Sequence, residues 1–184
     1  MKQLCHRLAI GILGLAVVLG LTGTANAEIK DNSWELGLFL NYTSMDSDSV
    51  ADDAMGYGLR FGYNFKKGHE IEFMYVMVPT EDSFGYGIDV DINTWTLGYV
   101  YNFMKDKKLV PYATVAFGST NTSADEVDFD EDDTTYLLGG GIRYSFSDLI
   151  AIRGGFSYIM VQSDPDSTSN MALDAGVSFF LGGK

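Results

Sequence analysis

Through most of the chain after Ala27, apolar residues alternate with small or polar ones at a period of two. In "SWELGLFLNYT", Trp34, Leu36, Leu38, Leu40 and Tyr42 share one face, while Glu35, Gly37, Phe39 and Asn41 share the other. Successive side chains of a strand point to opposite sides, so a segment of this kind reads as a strand between two different environments. The pattern recurs over eight segments: 33–44, 54–65, 69–79, 92–103, 108–119, 134–146, 150–162 and 170–181. No stretch after Ala27 sustains a helical period, and the fold class predicted is all-β.

The links between these segments alternate in length. Residues 45–53, 80–91, 120–133 and 163–169 are long links, and 66–68, 104–107 and 147–149 are tight ones. An even strand number with tight turns at one end and long links at the other predicts an eight-stranded antiparallel up-and-down transmembrane β-barrel. The long links hold 17 of the 25 acids, whereas Lys66, Lys67, Lys105, Lys107 and Lys108 cluster at the tight turns. Seven of those acids fall within residues 125–133, in "SADEVDFDEDDTT", which reads as the third and longest surface link.

The face that begins Trp34, Leu36, Leu38 carries no charged residue in any of the eight segments. The opposite face collects Glu35, Arg60, Glu70, Glu72, Arg143, Arg153 and Asp174, together with ten of the twelve strand glycines. A water-soluble barrel has the reverse arrangement. Aromatic residues gather near the segment ends, with Trp34, Tyr63, Phe103 and Tyr144 on the tight-turn side and Tyr42, Trp95, Phe117 and Tyr136 on the other, as in interfacial girdles. Eight strands enclose a space only wide enough for side chains, so the seven inward charges are expected to form an interior ion network.

The N-terminus adds a different signal. Lys2 and Arg7 precede an apolar run from Leu8 to Leu21, and a small-residue stretch ends Ala25-Asn26-Ala27. These are the three parts of a secretory signal peptide, and the run is too short to favour a permanent membrane helix. Cleavage is expected after Ala27, leaving residues 28–184 as the barrel domain. Cys5 lies within the leader and away from the cleavage site, so a lipid anchor lacks its acceptor. The remaining chain carries ten basic against 25 acidic residues, a net charge of −15. That balance argues against nucleic acid as a partner. An aromatic content of 14% argues equally against a disordered acidic chain.

Candidate chemistry is sparse. His69 is the only histidine after the leader and sits beside a tight turn, so hydrolysis from the surface end lacks a base. Glu70 and Glu72 are the nearest carboxylate pair, and three inward arginines favour a structural role for them. Asp128, Asp130 and Asp132 have the spacing that opens an EF-hand, but Asp133 stands where glycine is needed and Gly139 where glutamate is needed. Diffuse binding of divalent cations is what these acids predict. No catalytic residue and no cofactor is expected.

The whole segment after the leader resembles the small eight-stranded outer-membrane barrels of Gram-negative bacteria, of the OmpA-domain and OmpX kind. Its most specific local piece is "DAGVSFFL", residues 174–181, which resembles the C-terminal assembly signal of such barrels. The resemblance implies that Asp174, Gly176, Phe179 and Leu181 are read by the barrel-assembly machinery. It also implies a monomer in the outer membrane among lipid and lipopolysaccharide, with a structural or surface-interaction role. A narrow channel for small solutes and an adhesin acting through the acidic links are the alternatives.

Overall fold

A computed structural model describes residues 29–46, 51–81, 88–124, 129–163 and 167–183. The expected leader, residues 1–27, lies outside the described residues. The elements are β1 (Ser33–Ser44), β2 (Ala54–Asn64), β3 (His69–Glu81), β4 (Asp89–Asn102), β5 (Leu109–Ala124), β6 (Phe129–Ser145), β7 (Ile150–Gln162) and β8 (Ser167–Gly182). Each strand pairs antiparallel with the next, and β1 also pairs with β8, which closes the sheet into a barrel. Closure leaves no strand edge exposed, the condition for a sheet in hydrocarbon. Among the described residues no helix is long and apolar enough to cross a membrane, so crossing falls to the strands.

The alternation in the sequence becomes an inside and an outside. In β1, Ser33, Glu35, Gly37 and Phe39 are inward, while Trp34, Leu36 and Leu38 are exposed. Exposed apolar side chains continue round the wall through Leu59, Phe73, Leu97, Val115, Leu138 and Leu173. A belt of this extent is unstable in water and stable in lipid. At the tight-turn rim, Trp34 stacks on Phe61 at 5.1 Å between centroids, and edge contacts join Tyr63 to Phe65, Tyr101 to Phe103 and Tyr144 to Phe146.

Tight turns are set by local chemistry. The β2–β3 turn is a single 3-10 turn, Lys66–Gly68, and Gly68 has φ of +82° with its α-carbon facing the Asn102 carbonyl, where a Cβ would collide. Below the barrel, Ile29 is buried with Val110, Ala151 and Phe180, and the chain entering β1 is tied down by Lys30–Asp148 and Lys105–Asp31 ion pairs, both at 2.9 Å. At the other end, Phe39, Val76 and Val78 form an interior apolar layer, continued by Ala51, Val90 and Ala124. An apolar cluster thus lies toward each end of the lumen with the charges between, and buried polar side chains share both ends, Ser33, Asn64 and Asn102 at the tight turns and Asn41, Thr43 and Thr120 at the long links.

The wall rises further at the long-link end than the apolar pattern predicts. β3 ends at Glu81 and not at 79, β4 begins at Asp89, β5 reaches Ala124, β6 begins at Phe129 and β8 at Ser167. Most of the acid-rich stretch expected as a surface link is therefore hairpin, with Asn121 opposite Asp132 and Ser123 opposite Asp130. Beyond the hydrocarbon both faces of a strand are wet. Backbone pairing continues there without any need for apolar alternation.

Arginine on the belt measures the lipid contact. Leu38→Arg lowers the unfolding free energy in lipid vesicles by about 2–4 kcal/mol, and Thr134→Arg, on the outward face of β6 but beyond the belt, by about 0–1 kcal/mol. Urea titration followed by tryptophan fluorescence reads both, and equal costs would show that the exposed apolar face does not lie in hydrocarbon.

Candidate functional site

The inward phase of the strands brings charged side chains from opposite walls into one cluster. Glu35 enters from β1, Glu70 and Glu72 from β3, Arg143 from β6 and Arg153 from β7, and all five are buried. Arg143 Nη2 lies 2.7 Å from Glu35 Oε2 and 3.3 Å from Glu70 Oε2. Arg153 holds both oxygens of Glu72, through Nη1 to Oε2 and through Nη2 to Oε1 at 3.2 Å, and its Nη1 is 3.6 Å from Glu35 Oε1. Higher in the lumen, Arg60 Nη2 donates to Asp174 Oδ1 at 2.7 Å. All seven sequence-predicted interior charges therefore meet, in one group of five and one pair.

Uncharged groups complete the cluster, and these the sequence pattern did not single out. Ser178 Oγ donates to Glu35 Oε1 at 2.6 Å, and Asn102 Nδ2 donates to Glu70 Oε2 at 3.0 Å. Each arginine also lies against an aromatic face: Arg60 on Phe39 at 4.3 Å, Arg153 on Tyr112 at 4.1 Å and Arg143 on Phe180 at 5.4 Å. Cation–π contacts of this kind contribute about 0.5–2 kcal/mol, most when desolvated. The available signal was position: Asn102, Tyr112, Ser178 and Phe180 are all inward by the same alternation. Gly37 and Gly155 supply the room, since a Cβ at either would meet Arg60 or the Asp174 carboxylate.

What this arrangement can do follows from how full it is. A cavity of about 20 Å³, lined by Arg60, Glu72, Arg153 and Asp174 among others, separates the two parts of the network. That is room for about one water. One carboxylate oxygen from each of Glu35, Glu70 and Glu72 lies within 4.8 Å of the others, an oxygen-rich donor set suited to a hard cation, although two guanidinium groups already occupy part of it.

Other candidates lie apart from this cluster. His69 is on the outer wall, where its Nδ1 is hydrogen-bonded to the Tyr99 hydroxyl and its ring lies 5.2 Å from that of Tyr101. It is on the opposite side of the sheet from Glu70 and Glu72, so it pairs with neither. Of the cation candidates, Asp130 and Asp132 stand on β6, where Asn121 Nδ2 donates to Asp130 Oδ1 at 2.6 Å and Asp132 Oδ1 at 3.2 Å. Asp128 lies outside the described residues. At the same end Asp53 accepts from the Met45 backbone N–H at 2.8 Å and the Tyr42 hydroxyl at 3.0 Å, which hold its carboxyl below the usual aspartate range.

The C-terminal residues divide between the two faces. Asp174 belongs to the interior pair with Arg60, and Gly176 gives Phe39 its place, since a Cβ there would meet the Phe39 side chain. Phe179 stands opposite Leu36 and Ile150, and Leu181 is exposed opposite Trp34, so both join the outer belt.

The family model for the outer membrane protein beta-barrel domain matches residues 13–179. Among solved structures, Neisserial surface protein A is 17% identical with a TM-score of 0.59, over 81% of this chain and 99% of its own. The N-terminal β-barrel domain of Pseudomonas aeruginosa OprF is 19% identical with a TM-score of 0.56, over 83% and 99% respectively. The outer membrane protein OprG of the same organism is 12% identical with a TM-score of 0.58, over 85% and 99%. At these identities the likeness is one of fold. No curated protein matches the sequence.

Breaking a buried pair strands its partner, and this sets an expected cost. Arg153→Ala lowers stability by about 3–5 kcal/mol. The double variant with Glu72→Ala is less destabilised than the sum of the single changes, by about 0.5–3 kcal/mol. Lys30→Ala, which breaks a half-exposed pair, costs about 0–1 kcal/mol. Strict additivity of Arg153→Ala and Glu72→Ala in vesicle unfolding would show that the two side chains are not paired inside the barrel.

Proposed function

The chain belongs to the outer membrane protein beta-barrel domain family, and from that premise we propose that it is a non-enzymatic barrel with a closed lumen. Its role is structural, in envelope integrity, and interactive at the surface. Family membership implies the outer membrane as its location. The observation that carries the closed reading is the charged cluster of Glu35, Glu70, Glu72, Arg143 and Arg153 between two apolar layers. Ions crossing such a lumen would have to displace paired guanidinium groups and pass Phe39, Val76 and Val78 without hydration, a costly route.

Several parts of this reading rest on the sequence. Residues 1–27 act as a secretory signal, the tight-turn end faces the periplasm, and the acidic end faces the medium. Lipid and lipopolysaccharide are the immediate partners of a monomeric barrel. Asp174, Gly176, Phe179 and Leu181 serve the barrel-assembly machinery during insertion. Divalent cations held diffusely by Asp130, Asp132 and neighbouring acids link the acidic end to anionic lipopolysaccharide. Catalysis has no support from the cluster, because the carboxylates that could act as acid and base are each tied to arginine or asparagine.

A second reading, surface adhesion, is favoured by one feature. β5 and β6 are 16 and 17 residues long against 12 and 11 for β1 and β2, which lifts exposed Asp130, Glu131 and Asp132 on one side of the barrel. Attraction of a basic partner to that rim falls with salt.

Planar-bilayer recording separates the closed barrel from a narrow channel. The wild type is expected to carry no sustained current, and Arg143→Ala with Arg153→Ala to raise the frequency of openings. A steady, ion-selective wild-type current unchanged by those substitutions would establish the channel instead.

A further inference from the structure

The lower part of the interior is not electrically balanced. Glu35, Glu70 and Glu72 face Arg143 and Arg153, while Arg60 is committed to Asp174 higher in the lumen. Three carboxylates against two guanidinium groups leave one negative charge, between an apolar floor at Phe180 and an apolar layer at Phe39. A buried charge without compensation is costly, so a proton on one carboxyl or a bound cation belongs there, and only a bound cation makes stability depend on sodium.

The imbalance is localised at Glu70. Its Oε2 accepts from Asn102 and lies near Arg143, but its Oε1 has no partner. Asn64 stands opposite Glu70 in the β2–β3 register, is only 1% exposed, and has neither amide atom partnered. The Oδ1 of Asn102 is likewise buried and unpartnered. Gly62 keeps the neighbouring wall bare, since a Cβ there would run into Glu70 Oε1. Three buried oxygens that lack donors thus belong to three adjoining side chains, and one of them carries the excess charge.

Hard cations are held by carboxylate and amide-carbonyl oxygens of this kind. We propose that Glu70, with the side-chain carbonyls of Asn64 and Asn102, binds a single small monovalent cation of the sodium class inside the barrel. Charge selects the class: one positive charge neutralises the cluster, whereas a divalent ion would leave it net positive beside Arg143 and Arg153. The cation sits on the Oε1 side of Glu70, away from the oxygen that Arg143 approaches. This role does not depend on whether the barrel conducts.

Two measurements test it. The full barrel is refolded into phosphatidylcholine vesicles in choline chloride, and the urea midpoint is followed as sodium chloride replaces choline chloride at constant ionic strength. A ligand that binds only the folded state raises stability as its concentration passes the dissociation constant. The wild-type midpoint is expected to rise and then increase only slowly with sodium, and Glu70→Gln to remove the sodium-dependent shift. No shift in the wild type, or the same shift in Glu70→Gln, overturns the proposal. Crystals of the wild type refolded and grown in thallium(I) acetate, so that the ion is present before the barrel closes, read the site without any variant. One anomalous peak beside Glu70 within the barrel is the expected result, and an interior without one overturns the proposal.

Discussion

Backbone N–H and C=O groups cannot be left unpaired in hydrocarbon, and this constraint shapes everything else in the molecule. It forces the sheet to close, and β1 does so by pairing with β8 along its whole length. Closing at eight strands then fixes the width of the lumen at about that of the side chains that fill it. Charged residues that point inward have no room for bulk solvent and must answer one another. The ion pairs of Arg143 with Glu35 and of Arg153 with Glu72 are thus consequences of strand number as much as of residue choice.

The interior is layered. Ile29, Val110, Ala151 and Phe180 form a floor, the charges lie above it, and Phe39 with Val76 and Val78 covers them. Each layer supports its neighbour: Phe180 and Phe39 are apolar seals and also the ring faces on which Arg143 and Arg60 rest. Hydrogen-bonded hydroxyls of Thr94, Thr120 and Thr135 continue the wall toward the acidic end, at 2.8 and 2.6 Å. An inside built this way holds the wall in shape.

Legibility followed the solvent boundary. Where one face of a strand meets lipid, alternation marks strand and phase together, so Leu38 as outward and Glu35 as inward could be read from the sequence. Where both faces are wet the pattern carries no information, and Asp130 to Asp133, which the sequence assigns to a link, are strand residues paired with β5. The inward charges were legible as a set, but their partners were not. Arg60 pairs with Asp174 across 114 residues and Arg153 with Glu72 across 81, and which pairs form depends on the stagger of a closed sheet. Asn64 and Asn102 were invisible as site residues because a neutral amide on an inward face looks like filler until its carbonyl is found without a donor.

The sealed, charged interior is the central claim, and it is tested most directly at the Arg143 side chain. In lipid nanodiscs, the guanidinium N–H protons of Arg143 should exchange with D2O far more slowly than those of a solvent-exposed arginine, because the group is fully buried beneath paired carboxylates and an aromatic ring. Exchange at the rate of a free arginine side chain would contradict the account, since it would mean that water passes the apolar layers and the lumen is open.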